Sequence, residues 1–248
     1  MFLSWLWFNK RASSNWLLTD LRWLYELDSN VNDSSSNSND GTASSFSYNT
    51  SDKKLWSASG DCIASGTFDN TLGWESGWFF DTWTSIGSNA FSYSVRVKPD
   101  TDNKVQTIIS NDANWYDNST QIGVCVEGTT ISTDNTFCVV HQHSSESTRY
   151  VVEDTQTIST TVWTHFVYTY DGTTMRLYTD WVEVDTTTKS WLIVNTNDIK
   201  IWRRSGASIR FYNWLLDSVG LWIKALTATQ VSQLYNSWSW LPYADFTA

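Results

Sequence analysis

The sequence predicts an all-β protein, a sandwich or barrel of short antiparallel strands with one short helix near the carboxyl end. Three observations predict it. Apolar segments with strand-like alternation recur from Phe91 onward, with turn residues between them. Ser and Thr abound while Pro occurs only 2 times, a composition that suits strands and turns better than a helix bundle. The strong helix start of the later half is a capping box, Thr227-Ala228-Thr229-Gln230, leading into Val231, Leu234 and Tyr235 on one face. A chain of 248 residues is long enough to bury a core without staples and short enough to be one domain.

Taken in order, a first strand is expected over 23–27, followed by a polar loop over 29–52 rich in Asn, Ser and Asp. Further strands are expected over 91–97, 105–110, 121–126, 136–141, 150–152, 162–170, 175–179, 182–185, 198–202 and 212–223, and the helix over 227–236. Asp171-Gly172, set between two alternating apolar runs, is the sharpest hairpin signal in the chain.

Composition also excludes functions. With 26 acidic against 16 basic residues the formal charge is −10, a surface that repels nucleic acid phosphates. No window is apolar enough to span a membrane. The apolar run Met1 to Phe8 precedes Lys10 and Arg11, the reverse of a secretory leader, so the chain is expected to be either cytoplasmic or exported by other means, such as assembly into a particle. The 3 cysteines, at 62, 125 and 138, are too few for a disulfide framework. They read as small buried hydrophobes, with Cys125 facing Cys138 across a hairpin as the alternative. His141 and His143 share a strand face but lack a third ligand, and read as solvent-side or hairpin histidines.

The run Trp163-Thr164-His165-Phe166-Val167-Tyr168-Thr169-Tyr170-Asp171-Gly172, continuing through Leu177-Tyr178-Thr179-Asp180, resembles the central signature of the LamG-like jelly-roll family. Phe91 to Pro99 is similar to an early strand of that family, with Arg96 where an aromatic is usual. Leu216-Asp217-Ser218-Val219-Gly220-Leu221-Trp222 is similar to the strand before its final helix. The resemblance implies a two-sheet antiparallel jelly-roll sandwich of the concanavalin A-like kind, with one short C-terminal helix, over residues 17–237. Tails of 1–16 and 238–248 flank it.

The residues carried by the resemblance read as structural. Trp163 and His165 share one strand face, giving core area and a satisfied hydrogen bond, and no acid or nucleophile adjoins His165 in sequence. Asp217 opens an apolar strand and is expected to anchor a neighbouring loop through backbone N–H groups. Glucanases of the same fold retain configuration with two carboxylates about 5 Å apart. On a strand their Glu-x-Asp-x-(x)-Glu pattern puts nucleophile and acid on one face; Glu26-Leu27-Asp28 and Glu183-Val184-Asp185 each lack its second Glu, and Glu153-Asp154 does not alternate.

A binding role needs less. Asn111-Asp112-Ala113-Asn114-Trp115-Tyr116-Asp117-Asn118 follows a strand, where binding residues concentrate. Asp112, Asn114, Trp115 and Tyr116 are therefore the candidate carbohydrate-binding residues, against the alternative of a solvated loop whose rings pack on the sheet rim. Asp112 and Asp117 also offer hard oxygens to a calcium ion. The expected function is non-catalytic recognition of a glycan, cell-surface receptor or virion protein, and the resemblance to LamG-like chains of bacteriophage structural proteins implies a virion surface or tail component. A secreted adhesin, a glycoside hydrolase and a capsid-decorating protein are the alternatives.

The 17 Trp are several-fold above ordinary usage, while 11 Gly fall below the usual share of about 7%. Several Trp stand where a turn asks for Gly: Trp181 after Asp180, Trp202 after Ile201, Trp214 after Asn213, and also Trp56, Trp238 and Trp240. These positions are expected to be UGA codons that the source organism or a phage's host reads as Gly, with a genuinely Trp-rich carbohydrate-binding surface as the alternative, whereas Trp163 and Trp222 are expected to be true Trp.

Overall fold

The computed structural model describes residues 14–44, 47–54, 58–61, 79–99, 106–111, 120–125, 136–142, 149–190, 198–201 and 214–235. A 3-10 turn at Ser14–Leu17 leads into β1 (Leu21–Tyr25), β2 (Thr42–Ser44), β3 (Ser47–Asn49), β4 (Ser59–Asp61) and β5 (Phe79–Asp81). The long strands follow: β6 (Phe91–Pro99), β7 (Gln106–Ser110), β8 (Thr120–Cys125), β9 (Thr136–Gln142), β10 (Arg149–Thr157), β11 (Thr164–Tyr170), β12 (Thr174–Thr179), β13 (Val182–Thr188), β14 (Lys200–Ile201) and β15 (Trp214–Trp222). Helix α1 (Ala228–Tyr235) comes last.

The described strands make two antiparallel sheets. The larger runs β13-β12-β11-β6-β15-β4-β3, with β1 also paired to β15, and the smaller runs β10-β9-β8-β7-β14-β5-β2. Alternation decides which residues meet between them. Phe91, Tyr93, Val95 and Val97 of β6 and Phe166, Tyr168 and Tyr170 of β11 face inward, against Ile109, Phe137, Val139, Val152 and Ile201 of the smaller sheet. The rings of Phe137 and Phe166 stack with centroids 3.5 Å apart, joining the two sheets at the core centre. This is the antiparallel sandwich with one short helix that the sequence predicts.

The opposite face of the larger sheet is covered as well. Leu21 and Leu24 of β1, Val167, Tyr178 and Trp222 form a second apolar cluster with Leu17, Leu226, Val231 and Leu234. The helix is started by the expected capping box, since the Gln230 N–H donates to Thr227 Oγ1 at 3.3 Å and the Thr227 N–H to Gln230 Oε1 at 2.9 Å.

The structure differs from the sequence reading in several places: β4 and β5 form where no strand is expected, and Trp214, expected in a turn, opens β15 opposite Pro99. β1 stops at Tyr25, because Leu27 turns into left-handed backbone at φ 59. β2 and β3 fall inside the expected polar loop; each has three residues and takes its pairing from the edge of β5 or β4 instead of its own alternation. β10 runs to Thr157 although its second half is polar, because Glu153 and Asp154 hydrogen-bond to neighbouring elements. Finally, His141 is buried, in edge contact with the Phe91 and Tyr170 rings and 3.4 Å from the Tyr168 hydroxyl, so it is a core residue and not a solvent-side one.

Candidate functional site

Asp112, Asn114, Trp115, Tyr116 and Asp117 lie outside the described residues. The base that carries them is described. β7 ends at Ser110 and continues into fully buried Asn111; β8 starts at Thr120, with Ser110 opposite Gln121. From Ser110 a polar row crosses the smaller sheet through Lys200 of β14, Asp81 of β5 and Thr42 of β2. Ile199 and Ile201 enter the core, so strand alternation turns Lys200 to the outer face, where its ammonium pairs with the Asp81 carboxylate. That ion pair is less than one-fifth exposed at each side chain, which makes the floor beside the loop polar and fixed.

A second polar group sits on the outer face of the larger sheet. Arg96 lies directly across from His165 on one side and from Asp217 on the other, so one polar row spans β11, β6 and β15. All three are 2% exposed or less. Asp217 accepts the Lys54 N–H at 3.1 Å, tying the 51–54 loop over the sheet as the sequence reading expects. At the same loop Asp52 pairs with Lys98 at 2.5 Å and accepts the Trp163 indole N–H at 3.1 Å. His165 Nε2 is 2.9 Å from Ser94 Oγ. Burial, with the Arg96 charge adding to it, holds the His165 pKa well below its ordinary value, so the ring is neutral. Burial also pulls the Arg96 pKa down to about 10, while Asp217 and Asp180 oppose the fall. The sequence reading missed Arg96 as a member of this group; the departure from an aromatic at that position was the available signal.

The carboxylates considered for hydrolysis each accept hydrogen bonds from neighbouring groups. Glu26 accepts the Ser34 hydroxyl at 2.8 Å, and the left-handed turn at Leu27 removes Glu26 and Asp28 from any common strand face. Glu183 accepts the Tyr178 hydroxyl at 3.1 Å and Asp185 the Glu153 N–H at 2.9 Å. Glu153 takes the Thr136 hydroxyl and Asp154 those of Thr179 and the Gln156 N–H. Among the described residues no group of three or more His, Cys, Asp or Glu is placed to hold a metal ion, and no helix is long and apolar enough to cross a membrane. Cys138 is disulfide-bonded, which corrects its reading as a free buried hydrophobe; the side chain of its partner lies outside the described residues.

A laminin G family model, described as the concanavalin A-like lectin/glucanases superfamily, matches residues 79–232. The chain belongs to the concanavalin A-like lectin/glucanase superfamily. No curated protein matches this superfamily member by sequence. Among solved structures its fold is similar to domain 4 of AbnA, a GH43 extracellular arabinanase from Geobacillus stearothermophilus, in complex with arabinotriose. The TM-score is 0.66 at 18% identity, covering 87% of this chain and 98% of that domain. The binding domain of Paraclostridial Mosquitocidal Protein 1 gives a TM-score of 0.66 at 14% identity, over 91% of this chain and 53% of that one. A botulinum neurotoxin type C structure, described through cell entry dependent on two ganglioside molecules, gives 0.63 at 14%, again over 91% and 53%. The concanavalin A-like chain thus spans about half the length of the two toxin chains. At these identities the likeness is one of fold.

Proposed function

We propose that residues 17–237 form a non-catalytic, lectin-like module that binds a glycan or a glycosylated receptor through the loop between β7 and β8. The observation that supports it is the base of that loop: two adjacent strands, a buried Asn111 and a largely buried Lys200–Asp81 pair form a polar platform, from which Asp112, Asn114, Trp115 and Tyr116 would act. Acidic and amide side chains would take sugar hydroxyls, and the rings would stack on a pyranose face. The fold likeness to a domain solved with arabinotriose supports the reading, as does the left-handed turn at Leu27 that takes Glu26 and Asp28 off a common strand face.

The module acts outside a cell, on a virion surface or tail. The disulfide at Cys138 fits an oxidising exterior, and the LamG-like pattern of the chain resembles that of bacteriophage structural components. Glycan-array binding followed by calorimetry on the best ligand tests the proposal. Affinity should fall at least tenfold in Asp112→Ala and Tyr116→Ala, and chelator treatment reports whether Asp112 and Asp117 work through calcium. Reducing-sugar release lost in Glu183→Gln would replace the binding reading with a hydrolase. Binding unchanged in both loop variants would move the site elsewhere, and co-sedimentation with phage particles separates a virion component from a free adhesin.

A further inference from the structure

We propose that Trp181 and Trp83 are glycines in the native protein, encoded by UGA codons that the source organism or its host reads as Gly, whereas Trp23, Trp163 and Trp222 are true tryptophans encoded by UGG. The structure separates the two groups by backbone and burial together.

Trp181 sits in the two-residue turn between β12 and β13, where Thr179 pairs with Val182. Asp180 has φ 47 and Trp181 φ 72, both left-handed. A hairpin turn with two consecutive positive φ values is the type that selects Asn or Asp first and Gly second. Asp180 meets the first requirement and Trp181 violates the second. Its ring leans on Tyr235 at 4.3 Å between centroids and the residue is still 42% exposed. Trp83, two residues past β5, repeats the combination with φ 53 and 61% exposure, the most exposed of the large apolar residues described. Its indole N–H reaches Thr42 Oγ1 at 3.0 Å, an exposed contact.

The other three are opposite in each respect. Trp23 and Trp222 are 0% exposed and Trp163 is 9% exposed, none with positive φ. Each indole N–H has a partner: Thr84 Oγ1 at 3.0 Å for Trp23, the Leu17 carbonyl at 2.7 Å for Trp222, and Asp52 at 3.1 Å for Trp163. A glycine at any of them would empty part of a packed core. Torsion alone does not make the division, since buried Leu27 also has φ 59. What isolates Trp83 and Trp181 is an L side chain that is bulky, left-handed and turned to solvent at once, in a chain with 17 Trp and 11 Gly. Trp115 follows Asn114 as Trp181 follows Asp180, so its codon belongs to the same comparison.

The coding DNA and the mass of native peptides test this. Tryptic peptide Leu177–Lys189 from protein made in its own source should carry Gly at 181, while peptide Tyr150–Arg176 should carry Trp at 163. UGG at codons 181 and 83, or a Trp-bearing Leu177–Lys189 peptide, would overturn the proposal, as would Gly at position 23, 163 or 222. In a standard expression host, Trp181→Gly and Trp83→Gly should each raise the urea midpoint of unfolding. A lowered midpoint in both would show that the rings are native packing and overturn it independently. Glycan binding is scored separately: Gly at 115 would remove one ring from the proposed loop site and leave Asp112, Asn114 and Tyr116 to be tested as before.

Discussion

Asp180 and His165 are joined twice: the Asp180 carboxylate accepts the His165 N–H at 3.0 Å, and the Asp180 N–H donates to the His165 carbonyl at 2.8 Å. The tip of the β12–β13 hairpin is thereby fastened to the start of β11, one strand further in. Replacing Asp180 by Ala should destabilise the protein by about 1–3 kcal/mol, because the partly buried His165 N–H is left without its acceptor. Asp180→Asn, which keeps a carbonyl oxygen there, should recover much of that loss in urea unfolding.

The neutral state of His165 predicts an acid-sensitive fold. Its pKa is depressed in the folded chain, so the unfolded chain takes up the proton first as pH falls below about 6.5. Stability contributed by this residue is full above that pH and is lost progressively below it. Urea midpoints measured between pH 8 and 5 should decline on the acid side, and His165→Gln should flatten the decline. An equally steep fall in the variant would assign the effect to another group.

Gly220 is required by its neighbour. A Cβ built there would stand 2.8 Å from two atoms of the Trp222 ring and 3.3 Å from Leu24 Cδ1. Trp222 is fully buried and its indole is held by the Leu17 carbonyl, so the ring has nowhere to move. Gly220→Ala should therefore cost about 1–3 kcal/mol as overpacking, although Ala is otherwise the better strand residue.

Thr227→Ala removes one half of the reciprocal cap on α1 and should cost about 0.5–2 kcal/mol. Since Val231 and Leu234 bury against Trp222's side of the sheet, the loss should show in global unfolding and not as fraying of the helix alone.

The long central strands were legible because both of their faces are specified locally. In β6, Phe91, Tyr93, Val95 and Val97 alternate with Ser92, Ser94 and Arg96, and in β11 three aromatics alternate with His165, Val167 and Thr169. β2 to β5 were not legible, since three-residue strands exist only through a partner whose position is set by the rest of the fold. The burial of His141 was missed, and the bonding of Cys138 was given only as the alternative, for a related reason: both depend on which face of β9 turns inward. The strands that bracket the candidate loop were read from sequence within a residue or two. The side chains of Asp112, Asn114, Trp115 and Tyr116 stay a proposal carried by composition and by that placement.

Asp33 gives the 28–41 segment a character that its Asn, Ser and Asp content conceals. One carboxylate accepts the N–H groups of Leu24, Ser35 and Asn39 and the Ser35 hydroxyl, while the amides of Asn37 and Asn39 reach back to the Leu21 and Arg22 carbonyls. Side chains here take the place that a neighbouring strand would fill, and Val31 plugs the segment into the core. A stretch whose composition suggests slack tether should then resist proteases and exchange its amides slowly, because one carboxylate gathers four hydrogen bonds at its centre.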